Sequence, residues 1–342
     1  MPTSCLQALP NLTQLGLGAN GLTAAGVTAL APFLSLLTRL QGFNISNNDL
    51  GPSGAAALGR AIQGLNLRRL DVTNCDLGAN GAASLCPAIC AFTELQELEL
   101  GGNRLGERGA AVLAPVLRGL CCLTALRLQN NGFGAAGAGS LAPALQSLTG
   151  LTELDLGDNA LGPEGARALA PALPALRSLQ TLWLESNGIN GEAMSAWGPA
   201  LGGLKALMQL DLSYNSLGAG GGAFLASALP HLTRLRDLNL REGELGPQGL
   251  VALAPALAAL TALTRVGLED EVMGVEAATA LAPVIARLTT LRALGLTCNT
   301  QAVQRAMAPA IRCLTQLTSL CGQDSSGWAT QQRYGRNTWF AI

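Results

Sequence analysis

The chain has 342 residues, of which 49% are hydrophobic, 13% charged and 4% aromatic; a charged share about half the usual quarter rules out a disordered polyampholyte. Lys and Arg number 21 against 22 Asp and Glu, a net charge of −1, so no global field draws the molecule to nucleic acid or to an anionic membrane. A single His and a single Lys (Lys205) leave most of the usual catalytic kit out.

The first residues, MPTSCLQALPNL, have no basic n-region and no long apolar core, unlike a signal peptide. Leu6 and Leu9 align with Leu34 and Leu37, so the chain is expected to start inside the last helical turns of a repeat. Either a partner covers that end or the chain is part of something longer, because solenoid ends need capping. No uncharged stretch is long enough and unbroken enough to cross a membrane.

From Leu12 onward a motif returns at Leu40, Leu67, Leu95, Leu123, Leu151, Leu179, Leu207, Leu235, Leu263 and Leu291, with spacings of 28, 27 and then 28 throughout. Each start reads LxxLxLxxN, and 29 of the 33 Leu slots hold Leu; the exceptions are Phe43, Ile45, Val72 and Val266. A broken twelfth start follows at Leu317 and Leu320. Alternation predicts a short strand at each start, with residues such as Leu154 and Leu156 pointing inward and Asp155 and Gly157 outward. The Asn of each motif, Asn159 for example, is expected to cap backbone groups of the next turn as a ladder. Cys75, Gly243 and Glu271 replace it, so the ladder is expected to be weakest at repeats nine and ten.

The second half of each repeat reads LGxxGAxxLAPALxxL, and Leu169, Leu173 and Leu176 are spaced as one helical face. Pro recurs in that half in nine of eleven repeats, at 32, 87, 115, 143, 171, 199, 255, 283 and 309. A helix that starts at the Gly would hold this Pro beyond its first turn, so each helix is expected to bend or to start late.

This pattern resembles the leucine-rich repeat in its long class, the ribonuclease-inhibitor-like subfamily shared by ribonuclease inhibitor, the Ran GTPase-activating protein and the repeat arrays of NOD-like receptors. The resemblance implies an α/β solenoid, a horseshoe of about eleven strand–helix repeats with its parallel sheet on the concave face. It covers roughly residues 6–320, and the solenoid domain is expected to span residues 1–321. Residues 322–342 break the pattern and hold Trp328, Tyr334, Trp339 and Phe340, and are expected to form either an aromatic C-terminal cap or a docking tail.

Motifs for chemistry are weak. Two GxGxxG matches, at Gly16–Gly21 and Gly132–Gly137, fall in repeat turns and not in a βαβ fingerprint. Nine cysteines include no CxxC pair, so neither a zinc site nor a disulfide framework is indicated and small buried thiols in a reducing cytoplasm are expected. His231 has no acidic partner nearby in sequence. No enzyme, cofactor or metal is expected.

The strand slots that face outward carry the functional signal. Across slots 3, 5, 7 and 8 of the eleven repeats stand twelve carboxylates and four arginines, a net −8. The binding candidates are Glu99, Arg127, Glu153, Asp155, Asp158, Trp183, Glu185, Asp211, Tyr214, Arg241, Glu242, Glu269 and Asp270. Trp183, in a column between Asp155 and Asp211, suits an Arg or Lys of a protein partner through cation–π contact and ion pairing; the alternative is that it covers a neighbouring Leu. The expected function is a non-enzymatic scaffold or adaptor in a larger assembly, binding a partially basic protein partner. The resemblance offers two alternatives, a GTPase activator like the Ran-specific one and the sensing array of a NOD-like receptor. Residues 322–342 hold one acidic residue, Asp324, where the Ran-specific family carries an acidic tail.

Overall fold

A computed structural model describes residues 11–321 apart from residues 270 and 299. Each Leu start forms a strand of three or four residues: β1 (Gln14–Gly16), β2 (Gly42–Asn44), β3 (Arg69–Asp71), β4 (Glu97–Glu99), β5 (Ala125–Arg127) and β6 (Glu153–Asp155). The series continues with β7 (Thr181–Trp183), β8 (Gln209–Asp211), β9 (Asp237–Asn239), β10 (Arg265–Leu268), β11 (Ala293–Leu296) and β12 (Ser319–Cys321). The broken twelfth start therefore still pairs, Leu294 with Leu320. All twelve lie in one parallel sheet in sequence order. Register is set by the repeat: Leu126, Leu154, Leu182 and Leu210 fall in one row, and a slip of one residue would turn every Leu outward.

Eleven α-helices alternate with the strands, from Ala24–Leu34 to Gln301–Arg312. Strands advance about 4.8 Å per repeat, whereas packed helices need about 8–10 Å, so the stack bends with its sheet on the inner side. Glycine narrows the helix spacing. A Cβ on Gly222 would lie 2.8 Å from the Cα of Gly249 on the next helix. Between the layers runs one continuous apolar core from Val27 to Leu314.

Two expectations are corrected. The helices do not start late: most begin at the Gly, which takes a left-handed φ such as +59° at Gly51, and Pro87, Pro115 and Pro143 lie inside them within a turn of the C-terminus. There the missing N–H costs one hydrogen bond near the fraying end. Where a second proline follows, Pro171 and Pro174, the α-helix stops early at Leu169 and gives way to a 3-10 segment, Ala170–Ala175; the helix Gly218–Ala228 likewise passes into a 3-10 turn, Leu229–His231, which holds Pro230. Trp197 of the next helix is buried nearby and donates its indole N–H to the Ala166 carbonyl at 2.6 Å.

The ladder is the second correction. Asn159 is typical: its Oδ1 accepts from the Asn131 N–H at 3.0 Å, and its Nδ2 donates to the carbonyls of Leu128 and Leu156, both at 3.0 Å. Asn187 repeats the pattern one turn on, accepting from the Asn159 N–H. Glu271, with Gly243, was expected to leave the ladder at its weakest. Instead its two oxygens accept from the N–H groups of Gly243 (2.8 Å) and Gly246 (3.2 Å), so the accepting half of the Asn role survives and only the donating half is lost. Burial pushes its carboxyl up, against the lowering effect of those N–H groups. Cys75 keeps a donor, its thiol reaching the Ile45 carbonyl at 3.3 Å. The aromatic segment 322–342 lies outside the described residues.

Candidate partner-binding face

The fifth residue of each motif forms the central column of the sheet, and the register places Glu99, Arg127, Asp155, Trp183, Asp211 and Asn239 side by side on β4 to β9. Asp155 and Asp211, expected as presented carboxylates, are buried (0% and 4% exposed). Their short side chains fold back to end the strand. Asp155 Oδ1 accepts from the Gly157 N–H at 3.0 Å, and Asp211 Oδ1 accepts from the N–H and hydroxyl of Ser213 at 2.9 and 2.5 Å. Asp71 and Asn44 make the same turn, to Thr73 and Ser46. Asx residues in this column thus do the structural work of closing each strand. Asn239 extends the link sideways by donating to Asp211 Oδ2 at 3.0 Å.

Arg241 and Glu269 are buried as well, at 5% and 8% exposure. The Arg241 guanidinium lies over the Tyr214 ring, 5.3 Å from its centre, so the molecule itself occupies the cation position expected there for a partner. Glu269 is laid flat across the sheet. A Cβ on Gly295 would fall 2.0 Å from its carboxyl carbon. Glu185 lies over Gly157 in the same manner, 2.5 Å from where a Cβ would stand. Asp270 is outside the described residues. Of the remaining candidates, Asp158 and Glu242 are exposed, while Glu99, Arg127, Glu153, Trp183, Glu185 and Tyr214 are half-buried.

Glu99, Arg127 and Glu153 form one clip across three strands. Arg127 Nη1 meets Glu99 at 2.5 Å, and its Nε and Nη2 meet the two oxygens of Glu153 at 2.5 and 2.9 Å. Burial pushes the Glu99 carboxyl up to about 7; Arg127 opposes this, and Asp71, Glu97 and Glu153 add to it. At the other end burial pushes Asp237 up to about 6 against the pull of Arg265, 3.5 Å away. Asp211 is raised too, mainly by burial, although Ser213 and Asn239 oppose it. All three shifts act in the same direction, favouring the protonated form of carboxyls on this face.

A depression at the β1–β4 end escaped the sequence reading. It has a volume of about 340 Å³, lies over Gly16 and Gly42, and is walled by Gln14, Asn44, Arg69, Asp71, Glu97 and Glu99. Its signal was available: glycine at neighbouring outward slots of the first two repeats. Among the described residues no three His, Cys, Asp or Glu side chains converge as a metal-ligand set, and no helix is long and apolar enough to cross a membrane. Seven described cysteines are free, and Cys90, Cys121, Cys122 and Cys313 are exposed, contrary to the expectation of buried thiols.

The Leucine Rich repeat family matches at residues 38–59, 65–86, 93–114, 119–142, 148–170, 204–226 and 231–254. No curated protein matches the sequence. Among solved structures, an internalin (inlF) from Listeria monocytogenes superposes with a TM-score of 0.54 at 17% identity, over 92% of this chain and 88% of that one. The leucine-rich repeat ectodomain of the Arabidopsis receptor kinase HAESA, solved with a peptide hormone ligand, gives 0.53 at 19% identity. That alignment covers 84% of this chain and 42% of the ectodomain. The chain is a leucine-rich repeat solenoid.

Proposed function

We propose that the chain is a non-enzymatic interaction scaffold, a subunit or adaptor of a larger assembly, that takes a basic segment of a protein partner on its sheet face. The observation behind this reading is Trp183, half-buried in register between β6 and β8, with Glu185 and exposed Asp158 on the same part of the sheet. A guanidinium arriving there gains a ring face and carboxylates together. The HAESA ectodomain, a structural neighbour solved with a peptide ligand, supports peptide recognition by this repeat class. Free cysteines, four of them exposed, favour a reducing compartment such as the cytoplasm. The reading needs no cofactor, metal, nucleic acid or membrane insertion.

Fluorescence anisotropy with an arginine-rich peptide tests it. Trp183→Ala is expected to weaken binding about thirtyfold, on the order of 2 kcal/mol for a central anchor, and affinity is expected to fall with salt. Equal affinity of Trp183→Ala, Asp158→Asn and wild type would remove the sheet face from consideration.

A further inference from the structure

All eleven helices run the same way, so their C-termini lie along one side of the solenoid and their N-termini along the other. Charge is sorted between these sides. From the last turn of each helix to the second residue of the next motif stand twelve Arg and Lys, of which Arg167 is paired with Glu164 and Glu192, and one carboxylate, Glu94, which is held by Arg68 at 2.8 Å. From the eighth motif residue to the first helical turn stand eleven carboxylates and two arginines, Arg104 and Arg108; of the carboxylates Glu271 is buried, and Asp76, Glu164, Glu192 and Glu242 are ion-paired to Arg104, Arg167 and Arg241. The carboxyl half is the most one-sided: no Asp or Glu occurs at residues 193–210, 212–236, 245–268 or 277–321. On its helix-C-terminal side Arg177, Lys205, Arg234, Arg236, Arg287 and Arg292 are all exposed, and none forms an ion pair with another described residue.

Helix dipoles explain part of this sorting. Each helix end carries about half an elementary charge, so eleven aligned helices call for about five or six compensating charges per side. The basic side holds nearly twice that, and its excess is unpaired; on the acidic side Asp49, Glu107, Asp158, Glu244 and Glu276 are exposed and free of ion pairs with other described residues. We propose that the basic side of one copy of this chain stacks on the acidic side of a second copy. Both sides are rims of the same arc, so they share one repeat spacing and one curvature, and basic and acidic positions recur at the same pitch. No unrelated acidic partner starts with that match. The acidic rim also presents Val272 and Val275, 68% and 50% exposed, beside exposed Glu244 and Glu276, an apolar patch toward the carboxyl end of that rim. Such a head-to-tail contact is heterologous and does not close on itself, so it builds an open stack. It does not use Trp183, and the variants that test it lie outside the proposed binding site.

Sedimentation velocity of the purified chain tests the stack. At about 0.05 M salt the mass is expected to exceed the monomer and to grow with concentration, and at about 0.5 M salt to return to monomer. Arg234→Glu with Arg236→Glu is expected to abolish association, as is Glu244→Lys with Glu276→Lys, each with an unchanged circular dichroism spectrum. Mixing the two variants should yield dimers and nothing larger, because each retains one intact side. Trp183→Ala should associate like wild type. A wild type that stays monomeric at low salt overturns the proposal. So does a monomer that co-sediments with phosphatidylserine vesicles, which would assign the basic side to an anionic surface, and so does undiminished association of either charge variant.

Discussion

Asp155 and Asp211 carry the main lesson at the scale of single residues. Alternation placed them outward, correctly as to slot, but a carboxylate two bonds from its backbone reaches the N–H two residues ahead before it reaches solvent. Sequence alternation cannot separate an Asp that closes a strand from a Glu that leaves it, although the short side chain in an Asx-favouring position is the clue. Asp211→Ala should therefore destabilise the fold by about 1–3 kcal/mol, the cost of stranding buried donors, whereas Trp183→Ala should leave unfolding unchanged. Urea denaturation of both variants checks this, and a neutral Asp211→Ala would return that carboxylate to the binding face. The titration of Glu99 gives a second expectation. A carboxyl raised on folding binds more protons in the folded state, so stability falls as pH rises through the window between its ordinary and folded values. That window is 4.5 to about 7 for Glu99 and 3.8 to about 6 for Asp237. The melting temperature should rise on going from about pH 7.5 to about pH 5.5, and Glu99→Gln should flatten part of that rise. A wild-type melting temperature that drops over this range would contradict the account.

Repeats, as elements, were the most legible part of the sequence. Leu spacing defined every strand and its register, and the Gly-led second half defined the helices, because both patterns are dictated by a core that each repeat shares with its neighbours. Harder to see was how substitutions inside a slot are absorbed. Glu271 looked like a break, yet one added methylene lets its carboxylate meet Gly243 and Gly246, and proline proved compatible with a helix near its end. Glu271→Ala should thus cost more than Glu271→Gln. Asn159→Ala, which strands the Asn131 N–H and the Leu128 and Leu156 carbonyls, should cost on the order of 3 kcal/mol. Hydrogen exchange should show protection lost mainly in repeats five to seven, since repeats contact only neighbours. Protection lost evenly along the chain would contradict a nearest-neighbour solenoid.

For the molecule as a whole, a nearly neutral composition conceals two separations of charge, one between sheet face and outer shell and one between the two rims. The first was legible as columns of outward slots. The rims required knowing that every helix points the same way, and the depression over Gly16 and Gly42 required seeing two glycines as neighbours in space. The central claim is that the sheet face around Trp183 selects cationic protein segments. Selection of a random peptide library against the wild-type chain, with Trp183→Ala as the counter-selection, tests it most directly. The account predicts enriched peptides rich in Arg and Lys that bind wild type and lose about thirtyfold in affinity for the variant; enriched peptides with no cationic bias, or ones that bind both chains equally, would contradict it.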